Sequence, residues 1–249
     1  MSAAPSPSAS SLVSRLPPGH SVSESRTLPA ALLVLTFATG IVDAVSVLGL
    51  GQVFTANMTG NVVFLGFAAA GEVDFDVPRS ATAIFAFVAG AVLGGRLGVR
   101  WDATVPDARA RGLAVAALLE AALLGAAAWQ ALDYDPVALA PTGRLYAILV
   151  LCALAMGLRN ATVRRLAVPD LTTTVLTLTL TGLGAESAPA GGDSPRWGRR
   201  VAAVALMAAG AAVGATLVRR GGLALPLFAV GALAVLVAGT AARSARAVP

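Results

Sequence analysis

Apolar residues along this 249-residue chain run in blocks of about 14 to 20 between positions 30 and 241, separated by short charged loops. Eight segments follow from that pattern: 30–50, 53–70, 80–97, 112–132, 144–163, 170–185, 200–218 and 222–241. A membrane-spanning helix needs about 20 apolar residues. The first, fourth, fifth, seventh and eighth segments meet that length, and the third does so with Arg96 snorkelling to the interface. Two segments differ. Segment 53–70 contains the turn-like cluster Asn57-Met58-Thr59-Gly60-Asn61, and segment 170–185 is short, with six threonines. Part of that threonine run has the period of a strand. A lone strand in lipid would leave its backbone unsatisfied, so the pattern predicts helix there.

Arginine placement decides how many segments cross. If all eight cross, the 18 arginines divide evenly between the two faces. If 53–70 and 170–185 instead enter and leave on one face, 14 arginines lie on the side of both termini. Only Arg79, Arg144, Arg219 and Arg220 lie opposite. Positive charge in short loops marks the cytoplasmic side. The expectation is therefore an all-α polytopic membrane protein with six spanning helices, two polar re-entrant or broken segments, and cytoplasmic termini. Arg219 and Arg220 count against this arrangement, and eight spans are the alternative.

The halves resemble each other. Gly40-x-x-Asp43-Ala44 recurs as Gly157-x-x-Asn160-Ala161, and Thr55 corresponds to Thr172, at an offset of 117. Gly90-x-x-x-Gly94 recurs as Gly210-x-x-x-Gly214 at an offset of 120. The order of elements also matches, which is the mark of duplication. Three spans per half is an odd number, so the halves would be inverted, as in many secondary transporters. The boundaries read as a disordered Ser/Pro-rich tail at 1–28, a first membrane repeat at 29–132 and a connecting loop at 133–143. A second repeat at 144–241 and a short basic tail at 242–249 follow.

Composition narrows the chemistry. Apolar residues make up 57% and charged residues 12%, against about 45–50% and 25% in soluble domains. The net charge of +5 comes from arginines at segment ends. That distribution suits membrane anchoring and argues against a nucleic-acid partner. The only cysteine is Cys152 and the only histidine is His20. Neither a paired-cysteine metal site nor a histidine triad can be built within the membrane body, so no metal, no cofactor and no enzyme is expected.

Candidate residues are the polar groups that lipid would not tolerate. Asp43 lies inside an apolar span, and a buried carboxylate must be paired, protonated or wet. It reads as a proton or cation coupling site, or as the partner of Arg159. Thr55, Asn57, Thr59 and Asn61 would bind a small solute or ion, or satisfy the backbone of the bend. Arg159, Asn160, Thr172, Thr173 and Thr174 hold the matching positions of the second half. Glu120 lies mid-span in the fourth segment with no evident partner, and reads as a proton relay or an inward-facing structural acid. The GxxxG motifs read as close helix packing, with a homo-oligomer face as their secondary use.

The stretches TGIVDAVSVLGLGQVFTANMTGNVVFLG (39–66) and GLRNATVRRLAVPDLTTTVLTLTLTGL (157–183) resemble the YoaK-like family of bacterial membrane proteins. The matching residues are Gly40, Asp43, Asn57, Thr59, Gly60 and Asn61, then Arg159, Asn160, Pro169, Asp170 and Thr172 to Thr174. The resemblance implies an integral inner-membrane protein and supplies neither an activity nor a catalytic residue.

The functional expectation is a secondary transporter or facilitator of a small solute, proton-coupled through Asp43. Its partners are the lipid bilayer and that solute. The alternative is a non-transporting scaffold, sensor or accessory subunit.

Overall fold

The computed structural model describes residues 24–72, 75–101, 106–194 and 196–246. Among them are eight α-helices and no strand. The first half holds α1 (Glu24–Gly49), α2 (Met58–Ala69), α3 (Val77–Val99) and α4 (Pro106–Gln130). The second holds α5 (Thr142–Leu166), α6 (Thr177–Ala185), α7 (Trp197–Gly221) and α8 (Ala224–Arg246). Six of these are long and apolar enough to cross a membrane; α2, at 12 residues, and α6, at 9, are not. The described residues thus form an all-α fold of six long apolar helices with two short ones.

Local chemistry explains both breaks. After α1, Gly51 and Gln52 take positive φ, of 79° and 58°. Helix cannot continue through left-handed residues, and the chain resumes as helix only at Met58. After α5, Ala167 caps the helix at φ 51°, and Asp170 and Thr173 are also left-handed. Pro169 between them lacks a backbone N–H. Helix over the whole of 170–185 is therefore corrected: only Thr177–Ala185 is helical. The first helix starts at Glu24, inside the expected 1–28 tail, and the last runs on to Arg246. The rest of the expected N-terminal tail, residues 1–23, lies outside the described residues.

The helices pack across the halves. α1 lies against α7, and α5 lies against α3. α4 packs on both α5 and α8, and α8 also packs on α1. Exchanging the halves leaves this set of neighbours unchanged. The glycines show the same exchange in atomic detail. A Cβ on Gly40 would meet the Met207 carbonyl, and one on Gly157 would meet the Phe87 carbonyl. Gly210 is pressed on the Phe37 carbonyl, and Gly90 on that of Leu154. Small residues let helix backbones touch where lipid supplies no hydrophobic driving force. The GxxxG motifs serve this packing between the halves. α1 and α5 are the most buried of the spans, α3 and α7 the least. Side chains such as Phe85 and Leu93 of α3 and Val213 of α7 remain exposed, as on a lipid-facing surface.

Candidate functional site

A cavity of about 510 Å³ lies where α1 meets the starts of α2 and α6. Asp43 of α1 lines it, with Asn57 and Thr59 from the first break and Thr174 and Thr177 from the second. Phe54, Val63, Phe64, Leu180 and Met207 supply apolar wall. Phe54 and Phe64 stack with ring centroids 5.9 Å apart. Both breaks in the helical pattern therefore open onto one space. Its volume falls within the range of small-molecule sites, roughly 300–1,000 Å³.

Among the described residues, Asp43 is the only charged side chain on that lining. Its Oδ1 is buried and has no hydrogen-bond partner among the described residues. An unsatisfied buried acceptor is costly, so such atoms mark places where a ligand, ion or proton belongs.

Asp43 and Arg159 are not an ion pair, which corrects the sequence expectation. Arg159 is fully engaged elsewhere. Its Nε lies 2.9 Å from Glu120 Oε2, and its Nη2 also bonds Glu120. Its Nη1 donates to the Leu35 carbonyl at 3.0 Å and to Thr39 Oγ1 at 2.7 Å. Glu120 accordingly has a partner, and both side chains are almost wholly buried. Their helices α4 and α5 pack together, which brings the two charges face to face. A buried pair is stable only when its remaining donors and acceptors are also met. Neither Arg159 nor Glu120 lines the cavity.

The other candidates divide by what they bond. Asn61 closes the first break: it accepts from Phe54 N–H at 2.9 Å and donates to the Phe54 carbonyl at 2.6 Å. It holds the non-helical backbone as a neighbouring strand would, and it does not line the cavity. Asn160, at the position matching Asp43, donates to the Met156 carbonyl and accepts from Thr174 Oγ1 at 2.6 Å. It stands one bond behind the cavity wall. Thr172 bonds the Val175 carbonyl and is exposed. The Thr55 and Thr173 hydroxyls are buried without partners among the described residues, away from the cavity lining.

A charge cluster absent from the candidate set sits at the second break. Asp170 meets Arg196, Arg199 at 3.3 Å and Arg200 at 2.9 Å, and Arg200 also meets Glu186 at 2.8 Å. Burial pushes the Asp170 carboxyl up, but the bonds from Arg200, Arg196 and Arg199 outweigh it and hold the group below its ordinary value. These arginines tie the break before α6 to the start of α7. Their positions at segment ends matched simple positive-inside anchors, which concealed this second role.

Residues 31–239 match the family described as "Protein of unknown function (DUF1275)". The chain is similar to the UPF0700 transmembrane protein YoaK of Bacillus subtilis (strain 168), with 31% identity over 153 residues. That match covers 61% of this chain and 64% of the relative, so less than two thirds of the relative's length is spanned. No solved structure matches.

Proposed function

The chain belongs to the DUF1275 family, and from that premise we propose that this multi-pass membrane protein is a secondary transporter or facilitator of a small solute. The observation that carries the reading is the cavity between two short helices with Asp43 on its wall, its Oδ1 without a partner among the described residues. Interrupted helices that meet at a polar cavity are the usual way transporters build a solute site. Irregular backbone at membrane depth survives only inside protein or beside water. On this reading the two halves, with three long helices each, cross in opposite directions. Both termini face the cytoplasm of an inner-membrane protein, following the arginine bias. Asp43 is the coupling group, and no side chain is assigned to covalent catalysis.

Alternating access tests the reading without knowledge of the solute. Thr59 lines the cavity and is exposed there. In a Cys152→Ser background, Thr59→Cys is expected to react with a membrane-impermeant thiol reagent from either face of oriented vesicles. Reaction from one face alone would mean a static pocket, and would favour the non-transporting scaffold or sensor.

A further inference from the structure

We infer that the cavity takes a small zwitterion, its ammonium on Asp43 and its carboxylate at the start of α6. This deepens the transport reading, because it names the solute class for the same site.

The inference follows from the charges that reach the cavity. The one negative group is Asp43, whose buried Oδ1 has no partner among the described residues. An ammonium in the cavity would give the Asp43 carboxylate a charge-assisted hydrogen bond. Among the described residues, the positive groups at the cavity are not side chains but helix ends. Asn57 and Thr59 flank the first residue of α2, while Leu176 and Thr177 form the start of α6, and all four line the cavity. Neither the Asn57 nor the Leu176 side chain caps its helix. Uncapped first-turn N–H groups carry roughly half a positive charge and bind carboxylates.

The two helix starts are not equivalent. The Ala56 backbone, just before α2, already acts on the Asp43 carboxylate. In the first turn of α2 the Gly60 N–H is spent as well, on the Asn57 carbonyl at 3.2 Å. The start of α6 faces the cavity beside Thr174, whose hydroxyl is spent on Asn160. That leaves the α6 N–H groups for a ligand. A purely anionic solute would meet Asp43, and a simple amine would leave the α6 end unmatched. A zwitterion answers both. Its apolar part would rest on Phe54, Phe64, Val63, Leu180 and Met207.

The test is equilibrium binding to the purified full-length chain in detergent, read by titration calorimetry. The probes are glycine, L-alanine, L-methionine and L-leucine, with isoamylamine and 4-methylpentanoate as single-charge analogues of leucine. At least one amino acid is expected to bind, and leucine to bind about tenfold more tightly than either analogue. Asp43→Asn should lower leucine affinity about tenfold while strengthening 4-methylpentanoate, which no longer meets a like charge. Leu180→Trp, at an exposed position of the cavity wall, should block leucine even if Asp43→Asn fails to fold. Equal binding of isoamylamine would make this a cation site, equal binding of 4-methylpentanoate an anion site, and either overturns the inference. So does the absence of binding by all four amino acids. Zwitterion binding with one-sided access at Thr59→Cys would keep this inference and remove transport; two-sided access without binding would do the reverse.

Discussion

Arg159 of α5 grips Glu120 of α4 through two guanidinium bonds, and its third nitrogen reaches Thr39 of α1 at 2.7 Å. One side chain therefore joins three helices at the centre of the bundle. Removing one member of a buried pair strands the other charge, at a cost of about 3–5 kcal/mol. Glu120→Ala is expected to destabilise by about that amount in denaturant titration of the detergent-solubilised protein. Replacing both by apolar residues, as in Glu120→Leu with Arg159→Met, should recover most of the loss. A single variant as stable as the wild type would mean that the pair does not hold the bundle together.

Much of the architecture was legible from sequence because lipid is an unforgiving solvent. Asn57, Thr59 and Asn61 interrupt an apolar run, and together with the arginine bias they mark 53–70 as a broken element. Asp43 stood out for the same reason. The pairing of Glu120 with Arg159 was not legible. It spans 39 residues of sequence and depends on how α4 and α5 cross. The cavity walls Phe54, Phe64 and Met207 were hidden too, since an apolar side chain in an apolar segment carries no signal of what it faces. In the second break, the left-handed Asp170 and Thr173 end the helical reading of a sequence whose residue types alone permit it.

The glycine contacts offer a sharper stability test. Gly90 and Gly157 each face a carbonyl of the opposing helix, so a methyl group there must push two backbones apart. Overpacking of this kind costs about 1–3 kcal/mol, and Gly90→Ala and Gly157→Ala should both show it. Gly95 and Gly125 meet nothing within 4 Å. There alanine should be neutral or stabilise by up to about 1 kcal/mol through helix propensity. Thermal unfolding of the four variants checks the contrast, and equal effects at all four would refute close packing at Gly90 and Gly157.

Asp170 makes a pH-dependent contribution of known sign. Its folded-state carboxyl lies below the ordinary value of 3.8 because Arg200, Arg196 and Arg199 bond its charged form more strongly than burial disfavours it. The stabilisation is therefore complete above about pH 4 and disappears as pH falls through the lowered folded value. Asp170→Asn should be less stable than the wild type near neutrality, by about 1 kcal/mol because Arg196 and Arg199 are partly exposed. That gap should narrow as pH drops from about 6 to about 3. A gap that stays constant over this range would show that the carboxylate charge is not what the arginines hold.

The orientation of the two halves yields to labelling at their corresponding loops. α2 is followed by Glu72 and α6 by Ala190, and both residues are exposed. Each follows a short helix that is too short to cross, so each should return to the face on which it began. In the six-span arrangement, Glu72 then lies on the face away from the termini and Ala190 on the same face as the termini. Single cysteines at these positions, in a Cys152→Ser background, should react with an impermeant thiol reagent from opposite sides. Intact and permeabilised cells separate the two cases. The same comparison bears on Arg219 and Arg220, which the six-span arrangement puts opposite the other basic loops. If Glu72→Cys and Ala190→Cys react from one side, the short helices carry the chain across and the halves run parallel. The arginine bias would then vanish, and with it the inverted architecture that favours alternating access.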